Sequence, residues 1–134
     1  MSYAIKGVSS VEAWDILSQD PNAVLVDVRT EDETDYLGFP DLRDISRDVI
    51  LIPLIKNLKT REENESFIQE LEEKVKNKES KVMFICKSGG RSEQAAKAAL
   101  FSGYKSCFNV IDGFGDGYGR GWKYMNLACR YKND

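Results

Sequence analysis

Four nearly unbroken apolar runs constrain this chain more than any other feature: "AVLVDVR" at 23–29, "VILIPL" at 49–54, "KVMFIC" at 81–86 and "SCFNVI" at 106–111. A strand with one wetted face alternates apolar and polar residues; these runs do not, so both faces are expected to be covered. Between them lie segments of helical character. Ser9 and Glu12 form a capping-box pair ahead of Val11, Trp14 and Leu17, predicting a helix over 10–19 that stops before Pro21. Residues 31–37 are acidic and predict a short helix, and "GFPD" at 38–41 reads as a turn. Thr60 and Glu63 offer a second capping box for an amphipathic helix reaching Lys78, with Phe67, Ile68, Leu71 and Val75 on its apolar face. Its Glu- and Lys-rich side is read as a solvated surface. An alanine-rich helix over 92–102 ends at Gly103. Strands alternating with helices, and apolar on both sides, specify a parallel sheet with helices on both faces.

The 134 residues are read as one domain spanning 1–134. The opening, "MSYAIKGVSSVEAW", has a short apolar pair at Ala4-Ile5 but neither the basic nor the apolar region of a secretory signal. The longest apolar stretch, "VILIPLI" at 49–55, is too short to span a bilayer. A net charge of −3 argues against general affinity for nucleic acid or anionic membranes. The expectation is a soluble, cytoplasmic protein.

The residue counts narrow the chemistry. Cys86, Cys107 and Cys129 are an odd number at wide spacings, which fits neither a disulfide framework nor a CxxC metal pair. Histidine is absent altogether, so no Cys-His or Ser-His pair operates and no histidine ligates a metal. No metal or cofactor is expected. Any nucleophile has to be activated by other groups.

The stretch "VMFICKSGGRSEQAAKAAL" at 82–100 supplies them. In parallel sheets the carboxyl ends of the strands carry the site, and both "CKSGGR" and "DVR" fall at such ends. Ser88, Gly89 and Gly90 let the backbone curl into a nest of inward-pointing N–H groups. A helix beginning at Ser92 adds the positive end of its dipole. Lys87 and Arg91 add full charges, and the guanidinium has the shape for a bidentate oxyanion contact. Such a loop binds an anion and favours Cys86 as a thiolate. The phosphate-binding pattern GxxxxGK[ST] is missing. Four residues separate Cys86 from Arg91, one fewer than in cysteine phosphatases, so the cup is smaller and suits a sulfur atom better than a phosphoryl group.

"CKSGGRS" at 86–92 resembles the active-site loop of rhodanese-type sulfurtransferases, with its Cys-x-x-Gly-x-Arg-Ser pattern. "LVDVRTEDE" at 25–33, "GYKSCFNVIDGF" at 103–114 and "RGWKYMNL" at 120–127 are similar to further segments of that family, in the same order. "GFPDL" is similar to a bacterial single-domain subgroup. The resemblance implies a rhodanese-like α/β fold with a central parallel sheet of about five strands and helices on both faces. It implies that Cys86 attacks the outer sulfur of a donor such as thiosulfate, carries it as a persulfide, and passes it to a thiophilic acceptor. Lys87, Ser88, Gly89, Gly90, Arg91 and Ser92 would bind the small sulfur-containing anion, and Asp27 and Arg29 would support the loop. Ser92 is also read as an N-cap or loop-bonding residue. A non-catalytic interaction module and a cysteine-dependent phosphatase or arsenate reductase stand as alternatives.

Some residues depart from the family pattern. Gly38-Phe39-Pro40 stands where Gly-His-Ile is common, and Leu127-Ala128-Cys129 where Leu-Pro-aromatic is frequent. Cys107 is read as core and Glu31 and Glu33 as helix-start charges. The glycine-rich 113–121 segment is read as a loop bordering the site.

Overall fold

A computed structural model describes residues 5–134; Ala4 of the apolar opening lies outside the described residues. Strand β1 (Lys6–Val8) leads to helix α1 (Ser10–Gln19), and β2 (Val24–Asp27) to helix α2 (Glu31–Leu37). Three short strands follow, β3 (Phe39–Pro40), β4 (Ile50–Leu51) and β5 (Ile55–Asn57), then β6 (Glu62–Glu63) and helix α3 (Phe67–Lys74). Strand β7 (Lys81–Ile85), helix α4 (Gly90–Phe101), strand β8 (Ser106–Val110) and strand β9 (Cys129–Arg130) complete the order.

Five strands form the central sheet in the order β1-β8-β7-β2-β4, and every neighbouring pair is parallel. Alternate residues of one strand serve opposite cores. Val82 and Phe84 of β7 face α3 and α4, among Phe67, Leu71, Ala95, Ala96 and Ala99. Met83 and Ile85 face α1, with Ala13, Leu17, Phe114 and Trp122. Each such side chain contributes about 1.5–3 kcal/mol by burial, which explains why both faces of the strand are apolar. The alanines of α4 let that helix lie close to the sheet directly behind the cysteine loop.

Between residues 38 and 78 the sequence reading and the fold differ. The strand expected over 49–54 is shorter: only Ile50–Leu51 joins the sheet, and Ile55–Asn57 turns away to pair antiparallel with Glu62–Glu63. The Thr60/Glu63 capping box does not form. The Asn57 side chain accepts from the N–H groups of Lys59 and Thr60, making a tight turn, and Arg61 takes a left-handed φ of 62°. The helix therefore starts after Ser66, and it ends at Lys74 rather than Lys78. "GFPD" is not only a turn, because Phe39–Pro40 pairs antiparallel with Cys129–Arg130 and ties the end of the chain beside α2.

The Ser9/Glu12 capping box is present, and the structure adds one that the sequence reading did not name. Ser9 and Glu12 cap the start of α1, and Thr30 and Glu33 cap the start of α2. Among the described residues, no helix is long and apolar enough to cross a membrane.

Candidate active site

Cys86 directly follows β7, at the carboxyl edge of the sheet between the ends of β2 and β8. The residue is only 1% exposed. Its sulfur accepts a hydrogen bond from the Gly89 N–H at 3.1 Å and lies 3.2 Å from the Ser92 hydroxyl. Gly89, with a φ of +106°, is the N-cap of α4, so the helix begins two residues before Ser92. That corrects the N-cap reading of Ser92; the residue sits in the first turn of the helix, buried, and bonds the loop. The left-handed turn at Gly89 brings its N–H under the sulfur, and a side chain there would meet the Ile111 carbonyl at 2.8 Å. Among the described residues, the N–H groups of Ser88, Gly90 and Arg91 have no protein acceptor. They adjoin the first turn of α4, and these are the donors that the sequence reading assigns to an anion-binding nest.

Asn109, near the end of β8, organises this loop and was not among the expected site residues. It is 8% exposed. Its amide N–H donates to the Gly89 carbonyl at 3.1 Å, which leaves its oxygen to accept from the Ser92 hydroxyl at 2.5 Å. A hydroxyl has one proton. With that proton on the Asn109 oxygen, a neutral Cys86 thiol donates to Ser92; when the sulfur ionises, the Ser92 hydroxyl can turn to it instead. The signal in the sequence was a lone amide in an otherwise apolar strand whose end meets the loop.

The 113–121 segment borders the site, as expected. The Phe114 N–H donates to the Cys86 carbonyl at 2.8 Å and the Gly115 N–H to the Lys87 carbonyl at 3.3 Å. Gly113 passes so close that an added Cβ would lie 2.1 Å from the Lys87 oxygen. Glycine is required there by space as well as by its φ of +68°.

Asp27 and Arg29 form a buried ion pair, with Arg29 Nη2 at 2.7 Å from Asp27 Oδ2. Arg29 is not a surface residue. Its guanidinium also donates to the Gly38 carbonyl at 2.8 Å and lies 4.0 Å above the Phe114 ring. The pair reaches the cysteine loop through Phe114 rather than by direct hydrogen bonds.

The expected contribution of Arg91 as a free oxyanion clamp is altered. Its fork is closed on Glu33 of α2, at 2.7 and 2.9 Å. Glu33 is thus a helix-start charge, through its capping box with Thr30, and also the partner of Arg91. Burial raises the Glu33 pKa, but the Arg91 hydrogen bonds, the Thr30 N–H and the Arg91 charge outweigh it and hold the carboxyl below 4.5. The same hydrogen bonds raise Arg91 further above its usual value. Lys87 and Ser88 are exposed at the rim. Cys107 is buried, and burial pushes its thiol up to about 11, so it is inert. Cys129 is exposed on β9. Among the described residues no group of three or more His, Cys, Asp or Glu side chains could hold a metal ion.

A five-stranded parallel sheet with a cysteine loop at its carboxyl edge, capped by a helix, defines a rhodanese-like α/β domain. The family model of the STR4 middle domain matches residues 5–132, and the chain belongs to that family. The uncharacterized protein RP600 of Rickettsia prowazekii is 38% identical over 95% of this chain and 98% of its own length. The crystal structure of Rv0390 from M. tuberculosis superposes with a TM-score of 0.83, at 38% identity over 96% of this chain and 98% of that one. A chloroplastic thylakoid rhodanese-like protein of Oryza sativa is 33% identical over 90% of this chain, which corresponds to 24% of that protein.

Proposed function

We propose that the protein is a sulfurtransferase that moves a sulfane sulfur from a donor such as thiosulfate to cyanide or a thiol through a Cys86 persulfide. The observation that carries this reading is the seat of the Cys86 sulfur: it accepts the Gly89 N–H and touches the Ser92 hydroxyl inside a loop whose further N–H groups are unpaired. In the loading half-reaction, the thiolate attacks the outer sulfur of thiosulfate, the S–S bond breaks, and sulfite leaves with the electron pair. In the unloading half-reaction, the acceptor attacks the outer sulfur of the persulfide and the Cys86 thiolate leaves. Separate half-reactions give ping-pong kinetics. The loop N–H groups hold the charge on sulfur in both, in a site largely closed to water.

Two observations favour sulfur over phosphoryl transfer. The loop is one residue shorter than a cysteine phosphatase needs, and the Arg91 fork that would hold a phosphoryl group is engaged with Glu33. The test is intact-protein mass spectrometry after incubation with a sulfane-sulfur donor. Wild-type protein should gain one sulfur that cyanide removes, Cys129→Ser should behave like wild type, and Cys86→Ser should gain none. Retention of the added sulfur by Cys86→Ser would sink the mechanism.

A further inference from the structure

Among the described residues, Arg29, Arg47, Arg91 and Arg130 are the arginines that the fold shields at least in part. The first three give their guanidinium donors to protein acceptors. Arg29 bonds Asp27 and the Gly38 carbonyl, Arg47 the carbonyls of Asp20 and Ala23, and Arg91 the Glu33 carboxylate. Arg130, on β9, is the exception: its Nε is buried and has no hydrogen-bond partner. An orphaned buried donor is destabilising, and native folds carry few of them. The Arg130 guanidinium carbon lies 5.6 Å from the centre of the Phe39 ring, whose face attracts a cation without accepting a strong hydrogen bond. Asp41, close enough to feel this charge, is itself bound to Arg43 at 2.8 Å.

Beside this guanidinium lies a cleft of about 200 Å³. Phe39, Leu42, Val49 and Leu51 give it apolar walls, and Lys132 and Asp48 add one charge of each sign. Lys132 is engaged with Asp35 at 3.1 Å, which leaves Arg130 as the cation in search of a partner. No residue of the 86–92 loop lines the cleft, so it is separate from the cysteine site.

We propose that this cleft binds a small monocarboxylate with a branched apolar body, its carboxylate paired with Arg130. A guanidinium offers a carboxylate two parallel N–H donors, and the apolar walls take the hydrocarbon part out of water. The volume confines the ligand to a size well below that of a typical cofactor or drug. Asp48 opposes a second negative charge, so dianions such as phosphate monoesters are disfavoured. The proposal stands independently of the sulfur-transfer reading.

The experiment titrates the isotope-labelled full chain with 4-methylpentanoate and follows its amide and arginine Nε–H resonances by NMR. Saturable shifts are expected at Phe39, Leu42, Val49, Leu51 and the Arg130 Nε–H, half-complete at roughly 0.1–1 mM for a ligand of this size. 4-Methylpentanol, with the same skeleton and no charge, should bind at least about 10-fold more weakly. Arg130→Met, which keeps the aliphatic stem, should weaken binding of the acid by a similar factor of about 10. Val49→Phe, which fills the cleft and leaves Arg130 in place, should lose binding as well. If Arg130→Met does not fold, the alcohol and Val49→Phe decide the matter. The proposal is overturned by wild-type protein that shows no saturable shift up to about 20 mM acid. Equal binding of acid and alcohol also overturns it, as do shifts confined to residues 86–92.

Discussion

Two arginine–carboxylate pairs flank the cysteine loop, alike in chemistry and opposite in setting. Asp27–Arg29 is sealed, with side-chain exposures of 0% and 1%; Glu33–Arg91 sits at the rim, at 11% and 12%. The sealed pair joins residues two apart on one strand end, and its guanidinium has the Gly38 carbonyl and the Phe114 ring as further neighbours. The rim pair joins residues 58 apart, one from α2 and one from the loop itself. Burial makes the first expensive to disturb, because a stranded charge has no water to turn to. Partial exposure makes the second cheaper to disturb. The lesson is that the same ion pair can be locked firmly or loosely, and water access decides which.

The comparison breaks first at the sealed pair. Arg29→Ala strands the Asp27 charge and should cost about 3–5 kcal/mol, a large share of a typical domain's stability, read as a loss of urea midpoint. A loss below about 1 kcal/mol would mean that the pair is no more structural than its rim counterpart.

A neutral tie tests whether charge is needed to hold the loop at all. Asn109→Ala removes the acceptor of the Ser92 hydroxyl and one donor to the Gly89 carbonyl. It should cost about 1–3 kcal/mol and slow persulfide formation as the Gly89 turn loosens. Unchanged loading kinetics in a folded Asn109→Ala protein would show that the loop is held by its backbone contacts to Phe114 and Gly115 alone.

The smallest effect belongs to the rim pair and appears with pH. The folded Glu33 carboxyl titrates below 4.5, so its stabilisation is fully present above the unfolded value and is lost as pH falls through the depressed folded one. Glu33→Gln should therefore cost on the order of 1 kcal/mol near neutral pH, and the gap to wild type should close as the solution is acidified below about pH 4.5. A gap that stays constant from neutral to acidic pH would assign the stabilisation to packing rather than to charge.

Much of this was readable before the fold was known, and the reasons are local. The cysteine loop announced itself because an apolar strand, a glycine turn and a helix start are contiguous in "VMFICKSGGRSEQAAKAAL". Parallel order was readable because β7 has no polar side. The Glu33–Arg91 pair was not, although Thr30 and Glu33 carry a capping-box pattern, because nothing local says that a helix-start carboxylate will meet an arginine 58 residues on. Asn109 hid in the same way, its two partners lying in the preceding helix-loop unit. The failed Thr60/Glu63 box shows the converse: a correct local signal lost to the turn that Asn57 builds and to the pairing of β5 with β6.

The near-complete burial of Cys86 has a consequence for the lifetime of the protein. A persulfide places its outer sulfur about 2 Å beyond the anchoring one. On the sulfur-transfer reading proposed above, a peroxide meeting the loaded protein would encounter the cargo first, while the cysteine's own sulfur stays walled in by the Gly89 turn and Ser92. Oxidation then spoils an atom that a thiol can still cleave away, whereas sulfinic or sulfonic acid formed on the bare cysteine is permanent. Carrying sulfur would in this sense also be a form of armour.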